Sequence, residues 1–99
     1  MSHRIEFSPE ALGDLIDLYD YIALRDGDER ALGYINRIEK FCLGLSLFPD
    51  RGMRRDDLRS GLRTLGFERR AVIAFQIAAE AVIILRILYG GRELQTVFS

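Results

Sequence analysis

The sequence is short of the residues with which small domains build cross-links and metal sites. It contains one cysteine, Cys42, and one histidine, His3. A single cysteine excludes an internal disulfide, and two isolated side chains far apart in sequence are a poor basis for a metal cluster or a cysteine–histidine nucleophile pair. We therefore expect no metal and no cofactor, and we expect Cys42 to be a small residue of the hydrophobic core.

Long hydrophobic runs are also missing. No apolar run reaches the ~18 residues of a membrane span, and no charged-then-apolar leader opens the chain, so we expect neither a membrane segment nor a signal peptide. The default expectation is a cytoplasmic protein. With 99 residues, 48% hydrophobic and 29% charged, the chain has the composition of one globular domain covering residues 1–99.

Lysine is nearly absent, and the charges are unevenly distributed. The one lysine, Lys40, lies in the acidic first half, which carries ten acids and five bases, whereas residues 51–99 carry five acids and nine bases, all arginine. Arginine suits bidentate binding of carboxylate or phosphate. The second half is therefore expected to meet an acidic protein or nucleic acid. The alternative is that its arginines neutralise the acidic helices of the same domain.

The first half has the pattern of a strand followed by two helices. Residues 4–7 alternate charged and apolar side chains, and Ser8-Pro9 is typical of a helix start, with Ser8 as the N-cap. A second helix is expected from about Glu29, ending before Pro49. The apolar stripe expected on the first helix is Leu12, Leu15, Ile16, Tyr19, Ile22 and Ala23, with the acids Glu10, Asp14, Asp17 and Asp20 elsewhere; the stripe of the second helix is Ala31, Ile35, Ile38, Cys42 and Leu45.

The second half has the only sustained strand signal. Residues 71–77 and 82–88 are rich in β-branched side chains and apolar on both faces, which predicts two central strands joined by a four-residue loop. Residues 50–61 have the composition of a loop, residues 62–67 could form a further strand, and residues 92–99 a terminal edge strand or a flexible tail. The expected fold is α+β, with an N-terminal strand and a two-helix hairpin packed on a twisted antiparallel sheet of three to four strands.

Arg86 interrupts the second apolar run. A guanidinium at such a position must pair with a carboxylate on a neighbouring element or reach an open surface, because an unpaired buried charge is costly. Strong catalytic motifs are missing around it. Arginines and a tyrosine near the strand ends could bind an RNA backbone, but no general base with a pKa near neutrality stands out, which favours binding over chemistry; these residues are Arg63, Arg69, Arg70, Arg86, Tyr89 and Arg92.

Several segments, in order and spacing, resemble the RelE/ParE toxin superfamily, and its ParE branch most closely. The resemblance spans nearly the whole chain and no single motif is diagnostic. It rests on Ile5 to Phe7 with Ser8-Pro9-Glu10-Ala11, on Asp20-Tyr21-Ile22-Ala23, Phe48-Pro49-Asp50-Arg51-Gly52 and Gly61-Leu62-Arg63, on residues 70–75, and on the stretch from Arg86 to Leu94.

The resemblance implies the toxin of a type II toxin–antitoxin pair. ParE-like members inhibit DNA gyrase and are neutralised by a ParD-like antitoxin, which alone contacts operator DNA, whereas RelE-like members cut messenger RNA on the ribosome. Arg70, Arg86 and Tyr89 could correspond to the RNase residues. We expect a gyrase inhibitor that is not an enzyme; the alternatives are a ribosome-dependent mRNA endonuclease and a non-toxic antitoxin partner or co-repressor.

Two sets of contact residues follow from this expectation. The gyrase-binding set comprises Arg86, Tyr89, Arg92, Leu94 and Phe98. The antitoxin-binding set comprises Arg63, Arg70, Leu15 and Tyr19.

Overall fold

The computed structural model describes residues 2–91 and 94–98 of the chain. These residues form helices and a sheet, which confirms the expected α+β class. In chain order the elements are β1 (Arg4–Phe7), α1 (Pro9–Asp26), α2 (Asp28–Leu43), β2 (Met53–Arg54), β3 (Leu62–Phe67), β4 (Ala71–Ile77), β5 (Ala81–Tyr89) and α3 (Leu94–Phe98).

Helix α1 begins where Ser8-Pro9 predicts. The Ser8 hydroxyl accepts a hydrogen bond from the Ala11 N–H at 3.0 Å, and Pro9 occupies the first turn, where a missing N–H has no cost. At the other end, Gly27 has a φ of 96° and donates its N–H to the Ala23 carbonyl. This residue lets the chain reverse directly into α2.

The buried face of α1 differs from the expected stripe. Leu15 and Ile22 are buried as expected, but Leu12 and Ile16 are exposed, and Asp14 is buried although its charge had placed it outside. The spacing of apolar residues shows that α1 has an apolar side, but it does not show which residues lie at the middle of the buried side. The packing of α1 on the sheet decides which part of the wide apolar stripe is covered. Every residue of the second expected stripe is buried, although Leu45 lies in the turn that follows α2, and Cys42 lies in the core with no exposed surface.

Helix α2 ends earlier than Pro49 predicts. It stops at Leu43 and continues as one turn of 3₁₀ helix from Gly44 to Ser46. The tighter turn brings the Ser46 carbonyl within 2.9 Å of the His3 N–H, so the end of the hairpin is tied to the start of β1.

The sheet has five strands in the order β1-β5-β4-β3-β2, and it is mixed rather than antiparallel. β4 and β5 are central strands joined by a short loop, as expected, but β1 pairs parallel to β5. A parallel neighbour is reached by a long crossover, so no local turn signal in the sequence announces it.

β2 lies within the segment that we expected to be a loop. It is only two residues long and pairs with β3. Its approach depends on Gly52, which has a φ of 81° and lies so close to β3 that a Cβ there would collide with the Thr64 carbonyl.

The core lies between the helical hairpin and one face of the sheet. Phe75, Ile84 and Ile38 are among its fully buried members. Residues 94–98 form the short helix α3, so a terminal strand or tail is wrong for them; Arg92, Glu93 and Ser99 lie outside the described residues. Among the described helices, none has the length and hydrophobicity needed to cross a membrane.

Candidate functional site

Arg86 is bound by a carboxylate on α1. This is the first of the two outcomes expected for it, pairing with an acid on a neighbouring element. Its Nε and one terminal nitrogen each donate to Asp14 at 2.8 Å. The Asp14 side chain is 5% exposed and that of Arg86 21% exposed. The pKa of Arg86 is raised, chiefly by this hydrogen bond, so the guanidinium keeps its charge.

Asp14 also completes the hydrogen bonding of β5. β1 pairs with β5 only as far as Ile84, which leaves the backbone groups beyond Ile84 without a strand partner at the outer edge of β5. The Ile87 N–H donates to Asp14 at 2.8 Å, and the Leu85 carbonyl accepts from the Ser8 hydroxyl at 2.8 Å. Two polar side chains at the start of α1 therefore replace the missing strand partner.

Beyond Arg86, the end of β5 enters a row of aromatic rings. Tyr89 packs edge-to-face on Tyr21 and on Tyr34, with centroids 5.7 Å apart in each pair. Tyr34 also meets Phe67, which in turn contacts Phe41 at 5.1 Å. The row connects α1, α2, β3 and β5 at one end of the molecule.

Tyr34 has a perturbed environment. Burial, together with the nearby Tyr89 and Glu68, raises the pKa of Tyr34 to about 12, so the phenol stays protonated and able to donate. Its hydroxyl oxygen is buried and has no hydrogen-bond partner among the described residues.

Two clefts adjoin Tyr89. The first, of about 550 Å³, is lined by Ile22, Asp26, Glu29, Arg30, Gly33, Tyr34, Arg37 and Tyr89. The second, of about 300 Å³, is lined by Asp14, Asp17, Leu18, Tyr21, Ile87, Tyr89 and Gly90. A residue from the predicted gyrase-binding set thus stands between two concave surfaces.

The other predicted gyrase-binding residues are only partly brought together. Arg86 is engaged by Asp14, whereas Leu94 and Phe98 lie half-buried on α3. Phe98 and Arg86 line one cavity of about 360 Å³, together with Ser8, Glu10, Arg59, Leu85 and Val97. Arg92 lies outside the described residues.

The predicted antitoxin-binding residues do not form one surface. Arg63 lies near the start of β3 and Arg70 lies in the turn beyond its other end, so the two are roughly 16 Å apart at about 3.3 Å per strand residue. Arg63 lies half-buried 3.5 Å from Asp50, whereas Arg70 is exposed. Leu15 belongs to the hydrophobic core and Tyr19 packs against it, so little of either side chain is exposed to a partner. Their role as antitoxin contacts stays a prediction.

Exposed apolar side chains concentrate on the helical hairpin instead. Leu24 is 89% exposed and Ile16 64% exposed, although both lie on α1. Six of the nine large apolar side chains exposed in the described part of the chain are on α1 and α2: Leu12, Ile16, Tyr21, Leu24, Leu32 and Leu43. This concentration makes the outer face of the hairpin a candidate interaction surface.

Chains from solved toxin–antitoxin systems have the same fold. A chain of a chromosomal ParDE system from P. aeruginosa superposes with a TM-score of 0.78 at 27% identity, covering 89% of this chain and 96% of that one. A chain of the RelBE2 toxin–antitoxin complex from Mycobacterium tuberculosis has the same fold, with a TM-score of 0.65 at 19% identity, and covers 91% of this chain and 100% of that one.

The sequence comparisons narrow the class to one family. Residues 5–94 match the family described as ParE toxin of type II toxin–antitoxin system, parDE. Toxin ParE3 from Caulobacter vibrioides is 39% identical over 82 residues, which are 83% of this chain and 81% of that protein. The chain therefore belongs to the ParE toxin family, which confirms the resemblance inferred from its motifs.

Sequence analysis missed Asp14 and Tyr34. Asp14 lies four residues before the core residue Leu18, so the two share one side of α1. Because Arg86 needs a carboxylate partner, this spacing could have identified Asp14 as that partner. Tyr34 forms a row at helical spacing with Arg30 and Arg37, but its aromatic neighbours come from β3 and β5, so only the tertiary structure identifies its surroundings.

Proposed function

We propose that this toxin inhibits DNA gyrase in the cytoplasm without a catalytic step of its own, and that a ParD-like antitoxin neutralises it. Membership of the ParE family and the 39% identity to Toxin ParE3 support the proposal. The observation that carries the non-enzymatic part is the state of Arg86, whose Nε and one of whose two terminal nitrogens are already bound to Asp14.

The RNase alternative needs an arginine free to stabilise the charge of phosphoryl transfer and a tyrosine that can reach substrate. Arg86 is committed to the fold, and the Tyr89 ring is packed between Tyr21 and Tyr34. Arg70 is exposed next to this row. The two residues that would act with it in an RNase, Arg86 and Tyr89, are engaged by other side chains of the fold. These positions favour structural roles for the arginine and the tyrosine.

The gyrase-binding surface is proposed to include α3 and the end of β5. Leu94 and Phe98 are half-buried, so their apolar surface is partly available to a partner, and Tyr89 presents one edge between two clefts. Arg92, which joins these elements in sequence, completes the proposed set.

The antitoxin is proposed to cover the helical hairpin. The exposed row that includes Leu12, Ile16 and Leu24 gives it an apolar surface to bury, and the exposed Arg70 gives it a cation to pair. Operator DNA would then be contacted through the antitoxin only. The solved ParDE and RelBE2 systems are themselves toxin–antitoxin assemblies.

Expression of the chain without its antitoxin, in a bacterial host, tests the proposal. We expect growth arrest with induced DNA-damage signalling and intact messages. Phe98→Ala should weaken the arrest, whereas the matched change Phe48→Ala, at a phenylalanine that is 69% exposed, should leave it intact. Cleaved messages with quiet DNA signalling would establish the RNase instead, and unaffected growth would establish a non-toxic partner.

A further inference from the structure

Three side chains on α2 form a row of hydrogen-bond donors beside the 550 Å³ cleft. Arg30, Tyr34 and Arg37 are spaced four and three residues apart, so they share one face of the helix, and all three line the cleft. Two guanidinium groups and a phenol that stays protonated are suited to binding an anionic acceptor.

The row already binds one carboxylate of this chain. Arg37 donates to Glu68 through Nε at 2.8 Å and through a terminal nitrogen at 3.0 Å. Arg30, one turn further on past Tyr34, forms no ion pair with any described residue. The intramolecular pair shows which chemistry the row accepts.

The Tyr34 hydroxyl adds an unsatisfied donor at the centre of the row. Its oxygen is buried, and within residues 2–91 and 94–98 no group bonds to it. Buried polar groups in native proteins are nearly always paired, so an unpaired one calls for an explanation, and a ligand that brings an acceptor supplies one.

The backbone beside the row is strained. Glu68 and Arg69 have φ values of 47° and 66°, in the left-handed region that favours glycine, and neither is glycine. Strain of this kind persists where the surroundings hold it, and it gathers at binding sites. Here the Arg37–Glu68 pair links the turn to α2, and the next two residues, Arg69 and Arg70, are exposed.

We propose that this cleft binds an acidic side chain of the antitoxin. Arg30 donates to its carboxylate, and the Tyr34 hydroxyl, which is buried in the free chain, donates once the side chains that cover it move aside. The proposal rests on the proposed neutralisation by an antitoxin and names the contact that it makes at this end of the hairpin. A cleft of about 550 Å³ is larger than one carboxylate, so it also receives the neighbouring residues of the segment. Asp26 and Glu29 line the same cleft and suit a basic residue next to the acidic one.

Tyr34→Phe is the sharpest test, because it removes one hydroxyl and keeps the ring. The purified chain is titrated with its cognate full-length antitoxin by calorimetry. The variant loses the proposed hydrogen bond from the Tyr34 hydroxyl to a charged carboxylate. We therefore expect Tyr34→Phe to weaken antitoxin binding by about tenfold or more. The control Ser60→Ala also removes one hydroxyl, from an exposed serine between β2 and β3 that lies outside the proposed surfaces, and should change the affinity less than twofold.

A second pair of variants tests the charge. Arg30→Gln should weaken antitoxin binding about fivefold and reduce its dependence on salt, because a screened ion pair is lost. Arg25→Gln removes the same charge from the last turn of α1, where the guanidinium stacks on Tyr21, and should change the affinity less than twofold.

Thermal unfolding of the free chain separates a binding role from a structural one. Tyr34→Phe should leave the midpoint unchanged or raise it, because the hydroxyl has no partner among the described residues. A lowered midpoint, or antitoxin affinity within twofold of the original chain, overturns the proposal. If the original chain binds antitoxin through Tyr34 yet leaves gyrase active, the cleft assignment stands and only the gyrase target fails.

Discussion

At the scale of single residues, Asp14 has the most consequences. One buried carboxylate accepts two bonds from Arg86 and one from the Ile87 N–H, each at 2.8 Å. The contact joins α1 to the central strand β5 and satisfies a backbone donor at an edge that β1 does not reach. A buried ion pair is tolerated when its remaining hydrogen bonds are satisfied in this way.

Asp14→Ala should lower the free energy of unfolding by about 3 kcal/mol, because it leaves the Arg86 guanidinium and the Ile87 N–H without this acceptor. Asp14→Asn should cost less, about 1–2 kcal/mol, because the amide oxygen can still accept from Ile87. Urea denaturation measures both values.

Asp17→Ala is the matched control, since Asp17 is an exposed acid on the same helix, and its effect should stay within about 0.5 kcal/mol. If Asp14→Ala unfolds like this control, the assigned role of Asp14 is wrong.

Cys42 provides a second prediction at this scale. Burial, with a smaller contribution from Glu39, raises the pKa of Cys42 to about 12, and its side chain has no exposed surface. Because the thiolate is the reactive form, alkylation by iodoacetamide at neutral pH should be limited by unfolding. Mass spectrometry should find the thiol unmodified in native buffer and fully modified in denaturant. Rapid modification of the native chain would show that Cys42 is not in a packed core.

At the scale of elements, the β3–β4 turn depends on α2 through Arg37 and Glu68. The ordinary pKa of a glutamate side chain is about 4.5, and the hydrogen bond from Arg37 lowers the pKa of Glu68 below this value. A carboxyl whose pKa is lowered on folding stabilises the fold above its unfolded pKa, and this stability is lost as the pH falls through the folded value. Both side chains are largely exposed, so the contribution should stay below about 1 kcal/mol.

Arg37→Gln should therefore raise the pKa of Glu68 towards its ordinary value, because the charged donor is lost. Carboxyl NMR across a pH titration gives the measurement. The control is Arg51→Gln, which removes the same charge from a guanidinium that lies over the Phe41 ring. It should leave the pKa of Glu68 unchanged. An unchanged Glu68 midpoint in Arg37→Gln would mean that the pair does not form in solution.

The edge strand β2 depends on Gly52. Gly52→Ala should destabilise the chain by about 1–3 kcal/mol, because the new methyl group meets the Thr64 carbonyl and the φ of 81° is strained for alanine. Gly44→Ala is the control: Gly44 has a helical φ of −63° and open space around it, so the change should be neutral or stabilising by up to about 1 kcal/mol. Equal midpoints for the two variants in thermal unfolding would contradict the close approach of β2 to β3.

Elements that are determined by residues close together in sequence were predictable. Elements that depend on contacts between residues far apart in sequence were not. Ser8-Pro9 determines the start of α1, and the β-branched runs determine β4 and β5. The parallel pairing of β1, the inward position of Asp14 and the two-residue strand β2 depend on neighbours nine or more residues away in sequence. Helix α3 is five residues long, too short for a periodic signal.

At the scale of the whole molecule, the charge asymmetry has two outcomes. Some arginines of the second half pair with acids of the first, as Arg86 does with Asp14 and Arg63 with Asp50. Others, such as Arg59, Arg69 and Arg70, form no ion pair with any described residue. The alternative in which these arginines neutralise acids of the same domain therefore holds for part of the chain. Binding of an acidic partner by the unpaired arginines stays a prediction.

The candidate site shows the same division between local and distant causes. Sequence motifs identified the superfamily and drew attention to Arg86 and Tyr89. They could not show that Arg86 is engaged by α1, or that Tyr89 shares its surroundings with Tyr34 from α2. Those contacts arise only when helices and sheet pack together.

The most direct test of the central proposal is a supercoiling assay with purified DNA gyrase and the purified chain. We expect supercoiling to fall with increasing toxin and to recover when the antitoxin is added, while a translating extract treated with the same toxin keeps its messages intact. Undiminished supercoiling together with cut messages would contradict the account, and would show that Arg86 and Tyr89 take part in chemistry despite their packing.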